Sequence, residues 1–158
     1  VLQPLAVNKN IQLIENVADD LTVFADMNMV TSIIQNLVSN ALKFTQTDGL
    51  GKVTISAQPV GNRIEIIIHD TGLGMTQAQI EQVFEPQLKA SIKGTIGEQG
   101  TGLGLVLCKR FVDLNHGQIS VSSQKGEGTT FVVALPAAKN AHQSLLDTDL
   151  KSDKVKIF

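Results

Sequence analysis

The stretch from Asp26 to Phe44 constrains this chain more than any other. Apolar residues recur at Met29, Val30, Ile33, Ile34, Leu37, Val38, Ala41 and Leu42, the i, i+3, i+4, i+7 spacing of a helix with one wide buried face. Asp26 stands where a helix cap belongs. Asn36, Asn40 and Lys43 fall at i, i+4 and i+7 and so project from one face. An apolar surface does not normally tolerate two amides and an ammonium in register unless something polar lies opposite them. The fold must bury one side of this helix and offer the polar row to a ligand; the bland alternative is a polar stripe in solvent.

The flanking segments supply the surface for that helix to cover. Ile11–Val17 and Leu21–Ala25 read as short strands, as do Val53–Ala57 and Ile64–His69, joined by a turn at Gly61-Asn62. Thr76 with Gln79 has the form of a capping box opening a short helix to about Phe84. Leu103–Leu114 resumes helical spacing, and Gln118–Ser123 with Thr129–Leu135 forms a final hairpin around residues 125–128. Strands and helices in this order predict a two-layer α/β sandwich, a mixed sheet with helices on one face. Between them, residues 86–101 carry Gly94, Gly97 and Gly100 and little apolar content, which reads as a mobile loop of lid length. After Pro136 the composition turns to Ala, Lys, Asn, Asp and Ser, giving a domain over residues 1–136 and a linker or tail over 137–158. The closing Val155-Lys156-Ile157-Phe158 is compatible with the first strand of another domain, though four residues do not establish it.

Composition narrows the class. The length suits one domain with an ordinary core. No apolar run approaches the roughly 20 residues needed to cross a bilayer. The opening Val1-Leu2-Gln3-Pro4 reads as a cut from a longer protein rather than a targeting segment. Thirteen basic against fifteen acidic residues leave a formal charge of −2, which argues against nucleic acid as the main partner. Aromatic residues are 4%, too few for base-stacking platforms. Cys108 is single, with no disulfide partner, which suits a reducing, cytoplasmic setting.

Two glycine motifs carry further chemistry. Asp70 ends a strand and runs into Thr71-Gly72-Leu73-Gly74-Met75, where glycine lets the backbone turn tightly and approach a ligand. Its carboxylate can accept a hydrogen bond from an exocyclic amino group; a plain Asp-Gly turn is the alternative. Gly100-Thr101-Gly102-Leu103-Gly104-Leu105 leads straight into a helix, so freed amides and a helix N-terminus make a site for phosphates. The glycine spacing is neither the dinucleotide fingerprint nor a G-x-x-x-x-G-K-[ST] loop.

Taken in order, residues 36–44, 70–75 and 100–105 resemble the N, G1 and G2 boxes of the histidine-kinase ATP-binding domain, a member of the GHKL, or Bergerat-fold, superfamily that includes gyrase, heat-shock chaperones and mismatch-repair ATPases. Phe84-Glu85-Pro86 is similar to the family's F box, and Gly126–Thr130 to its last glycine box. The resemblance implies ATP and Mg²⁺ as cofactors. It implies that Asn40 ligates Mg²⁺, that Asn36 supports the site, that Lys43 contacts phosphate and that Phe44 lies near the base. It assigns Asp70 to the adenine amino group. Gly72, Gly74, Met75, Gly100, Thr101, Gly102, Leu103, Gly104, Leu105 and Thr130 then join the nucleotide-binding set.

The departures matter as much. Where the family often continues its F box with Phe-Tyr-Arg, this chain has Gln87-Leu88-Lys89, so Lys89 keeps a charge without a bidentate fork. Lys93 is a second cation there. The superfamily's hydrolases carry a Glu one turn before the magnesium Asn; here that residue is Asn36, and an amide cannot take a proton from water. Neutral imidazole is already nucleophilic. The resemblance therefore implies the catalytic domain of a two-component sensor histidine kinase, donating the γ-phosphoryl group to a histidine of a dimerisation domain. His69, His116 and His142 stand in no phosphoacceptor motif. A response-regulator receiver domain is the implied downstream partner, with a homodimeric parent and a monomeric fragment. The rival reading is a nucleotide-binding docking module without phosphotransfer.

Overall fold

A computed structural model describes residues 2–86, 94–95, 103–138 and 153–157. In chain order the elements are α1 (Gln3–Asn8), β1 (Gln12–Asn16), β2 (Thr22–Ala25), α2 (Met27–Phe44), β3 (Lys52–Val60), β4 (Arg63–Asp70), α3 (Gln77–Glu81), α4 (Gly104–Leu114), β5 (Gln118–Gln124), β6 (Gly128–Pro136) and β7 (Asp153–Lys156).

The helix expected from its apolar spacing is α2. Asp26 caps it, its Oδ1 accepting from the Met29 amide at 2.9 Å. The buried side chains are Val30, Ile33, Leu37, Val38, Ala41 and Leu42. They lie against a five-stranded mixed sheet of order β1-β3-β4-β6-β5. Only β1 and β3 run parallel among its neighbours, because α2 returns the chain to the same end of the sheet before β3 begins. Strand parity decides the faces: Ile64, Ile66 and Ile68 of β4 and Phe131, Val133 and Leu135 of β6 are buried on one side. Cys108 and Val112 of α4 cover the same core. The two helices are also tied end to end. Buried Asn115, just past α4, accepts from the Asp26 amide at 2.8 Å and donates to the Phe111 carbonyl at 2.7 Å.

Three features differ from the sequence reading. The N-terminal segment forms α1, with Pro4 in its first turn and Ala6 buried; six residues give no periodicity to read. α3 stops at Glu81 rather than near Phe84. Short-range bonds from the Val83 amide to Ile80 and from the Glu85 amide to Gln82 tighten the chain there, and Phe84 meets Phe131 edge-on at 6.2 Å. Finally, Val155 and Ile157 are buried in this core, where β7 pairs antiparallel with β2. That two-stranded sheet is joined to the end of β6 by a bridge between Val23 and Ala137. Val155 thus finds its partner strand in β2.

Burial of Ile157 at 1% exposure makes β7 part of the folding unit. Ile157→Ala is expected to destabilise by about 2–5 kcal/mol, the usual range for truncating a buried isoleucine. A urea-unfolding midpoint measured for both proteins checks it, and an unchanged midpoint would show β7 to be dispensable.

Candidate functional site

β4 delivers Asp70 to the inner face of the sheet, on the same parity as Ile64, Ile66 and Ile68. Its carboxylate is nearly enclosed, and its Oδ1 accepts from the Gly72 amide at 2.8 Å. Burial raises its pKa above the ordinary carboxylate value; the Gly72 amide, the His69 charge and the Thr129 amide offset that only in part.

The turn after Asp70 is clamped from both sides. A side chain at Gly72 would run into the Phe44 carbonyl, and the next amide, Leu73, donates to that same carbonyl at 3.0 Å. Gly74 has φ +66°, and a side chain there would strike the Gln124 carbonyl. Across the turn, the Met75 amide donates to Ser123 Oγ at 2.8 Å and the Gly126 amide to the Leu73 carbonyl at 2.7 Å. Ser123 Oγ also meets the Gly128 carbonyl and Thr129 Oγ1, both at 2.8 Å. The β5–β6 hairpin and the end of α2 thereby hold the Asp70 turn between them.

The polar row of α2 forms the adjoining wall. Asn36, Asn40, Lys43 and Phe44 are all half-buried. Asn36 Nδ2 reaches Ser32 Oγ at 3.4 Å, and its amide also bonds to the Cys108 thiol, whose pKa burial pushes up to about 12. Gly104 opens α4 directly against this amide: a Cβ there would sit 3.4 Å from Asn36 Oδ1. Among the described residues no side chain caps the first turn of α4, and amides at a helix start are the kind of donor that binds anions. Leu103, at its cap position, is exposed, and Leu105 packs on the core. The Lys43 ammonium lies 5.0 Å from the centroid of the Phe44 ring, a cation–π contact.

One expected site residue falls elsewhere. Thr130 projects from the opposite face of β6, where its hydroxyl meets His69 Nδ1 at 2.8 Å. Its neighbour Thr129 pairs with Asp70 in register and is buried beside it. Period-2 counting back from Leu135, Val133 and Phe131 identifies Thr129 as the inward residue, a signal present in the sequence. Lys89, Lys93, Gly100, Thr101 and Gly102 lie outside the described residues, as does most of the expected lid.

Sequence reasoning also missed Lys9. It is 3% exposed, and its ammonium donates to the Leu42 carbonyl at 2.7 Å, the Lys43 carbonyl at 3.2 Å and Thr95 Oγ1 at 2.9 Å. Thr95 in turn donates its amide to the Lys43 carbonyl at 2.9 Å and its hydroxyl to the Thr45 carbonyl at 2.9 Å. No local pattern marks a lysine for this burial.

Comparison with known proteins bears on this geometry. The family described as histidine kinase-, DNA gyrase B- and HSP90-like ATPase matches residues 25–139. The autoinducer 2 sensor kinase/phosphatase LuxQ of Vibrio parahaemolyticus is 37% identical over 164 residues, covering 99% of this chain and 18% of that protein. Sensor histidine kinase RcsC of Escherichia coli K12 is 33% identical over 135 residues, covering 84% of this chain and 14% of RcsC. The chain spans roughly a fifth or less of the length of these curated relatives. Among solved structures, the nucleotide-free catalytic domain of histidine kinase ThkA superposes with a TM-score of 0.73 at 25% identity, covering 85% of this chain and 84% of that one. Full-length ShkA in complex with AMPPNP gives 0.71 at 28% identity, covering 87% of this chain and 28% of ShkA.

The state of Asp70 has a measurable consequence. Its folded pKa lies above the ordinary 3.8, so the folded protein holds this proton more tightly than the unfolded chain. Its contribution to stability is therefore lost as pH rises from that value through the folded pKa. Asp70→Asn keeps the acceptor for the Gly72 amide and removes the charge. Thermal scans should show a higher Tm than wild type at neutral pH and a gap that closes on acidification; an equal or lower Tm at neutral pH would contradict this.

Proposed function

The chain belongs to the family of histidine kinase-, DNA gyrase B- and HSP90-like ATPases, and from that premise we propose that it is the Mg-ATP-binding catalytic domain of a two-component sensor histidine kinase. The observation that carries this reading is Asp70: a buried carboxylate at the mouth of a glycine turn, beside a helix row of two amides and a lysine, of which Asn36 lies against the start of α4.

On this reading Asp70 accepts from the exocyclic amino group of adenine, and Gly72, Gly74 and Met75 let the backbone lie close to the base. Thr129 joins that wall in place of Thr130. Phe44 stands near the base and Lys43 near phosphate. The donor set suits Mg²⁺, a hard cation that takes oxygen ligands: Asn40 would hold it, with Asn36 in support. Mg²⁺ when bound supplies charge neutralisation at the phosphates. Lys89 and the residues 100–105 would complete the phosphate contacts, the latter through amides at the start of α4.

The reaction follows from what this row lacks. With Asn36 where a carboxylate base would stand, no side chain of the row takes a proton from water. A neutral imidazole needs no such base. Its nitrogen attacks the γ-phosphorus, the bond to the β–γ bridging oxygen breaks, and ADP leaves. Catalysis is then positioning plus charge stabilisation. The imidazole belongs to a dimerisation domain outside residues 1–158, and the phosphoryl group passes on to a receiver domain. The catalytic unit comprises residues 1–136 together with β7, and its working side is the cytoplasm, where ATP is available. Among the described residues no helix is long and apolar enough to cross a membrane.

Titration calorimetry with Mg-ATP tests the site. Wild type should bind in the micromolar range. Asp70→Asn should weaken binding by at least about a hundredfold, because a site built around a hydrogen bond is left mispaired; Asn40→Ala should remove the dependence on Mg²⁺. A folded wild type that does not bind would sink the proposal. The chemistry is tested by adding the dimerisation domain of a sensor kinase and radiolabelled ATP. Acid-labile phosphohistidine should appear, with little phosphate released when no acceptor is present. Binding without any transfer would favour the docking-module reading.

A further inference from the structure

An α-helix ends with carbonyls that no residue of the helix can satisfy, and at the end of α2 they are met by groups from three other parts of the chain. Leu42 and Lys43 offer their carbonyls to the Lys9 ammonium. Thr95 donates its amide to Lys43 and its hydroxyl to Thr45. Leu73, in the turn after Asp70, donates to Phe44. Lys9 also holds Thr95 itself, at 2.9 Å. One ammonium therefore touches both the helix end and the residue docked on it.

The arrangement that brings Lys9 there is specific. α1 buries Ala6, the Lys9 amide closes that helix on Leu5, and Asn10 takes φ +56° to release the chain toward β1. The ammonium is thereby fixed behind the last turn of α2, where a positive charge also complements the negative end of the helix dipole. That turn carries Lys43 and Phe44, and its Phe44 carbonyl locks Gly72 and Leu73 beside Asp70. Both walls of the site thus rest on carbonyls of the turn that Lys9 secures. Thr95 lies in sequence between the Phe84-Glu85-Pro86 motif and the Gly100 motif.

We propose that Lys9 is a positioning residue of the nucleotide site: without touching nucleotide, it fastens Thr95 to the end of α2 and so sets the placement of Lys43, Phe44 and the Asp70 turn. This rests on the nucleotide-binding reading above.

The test is a double-mutant cycle read by Mg-ATP calorimetry, with Tm recorded for every protein, using Lys9→Met, Thr95→Val and the pair. Lys9→Met should weaken binding by about tenfold, the scale of one hydrogen bond to a charged group. Thr95→Val should weaken it in the wild-type background and add nothing further once Lys9 is gone. A merely structural lysine would lower Tm and leave the affinity of the folded protein unchanged, and that result overturns the proposal. So do additive effects of the two substitutions. If Lys9→Met does not fold, Thr95→Val decides: weakened binding at near-native Tm supports the proposal, and unchanged binding overturns it. Absence of binding by folded wild type is a different outcome, because it removes the nucleotide reading and this inference with it.

Discussion

The carbonyls that close α2 must find donors outside the helix, and the donors they find organise the molecule. Lys9 brings in the N-terminal segment, Leu73 the turn that follows Asp70, and Thr95 a residue from between two sequence motifs. At its other end the same helix is tied to α4 through Asn115 and the Asp26 amide. α2 is thus pinned at both ends while its middle is packed on the sheet. A constellation carried by such an element is held more closely than one carried by loops, and the polar row from Asn36 to Lys43 occupies this pinned stretch.

The site itself works against stability. A carboxylate is kept in a place that disfavours its charge, beside a turn whose glycines leave no room for a side chain. A buried ionisable group of this sort is kept only where surrounding packing and hydrogen bonds hold it. Here the surroundings are the core of branched side chains under β4 and β6, and the Ser123 hydroxyl, which ties the Met75 amide, the Gly128 carbonyl and Thr129 together.

Much of this was legible from the residues alone, and where it was not the reason is physical. α2 and its cap, the two antiparallel hairpins and the capping box of α3 are written in short-range patterns, which a single chain displays openly. Asp70 was legible because a strand ended there and glycine followed. α1 and β7 were not, since six and four residues carry no usable period and β7 finds its partner some 130 positions away. Thr130 was expected at the site because its motif was read as a unit; strand parity turns it to the outer face and turns Thr129 inward beside Asp70. Lys9 was invisible for a different reason. Lysine after a polar residue in a turn looks solvated, and its burial follows from contacts 33 and 86 positions distant.

The junction at the end of α2 is asymmetric in a way that bears on evolutionary drift. Its acceptors are main-chain oxygens, which every residue possesses, so substitutions at positions 42–45 leave the acceptor side intact as long as the helix persists. The Leu73 donor is main-chain as well. What a point mutation can erase are the Lys9 ammonium and the Thr95 hydroxyl. The information that specifies this three-way junction is therefore held in very few side chains, and the rest of it is free to diverge in sequence while the architecture stays the same.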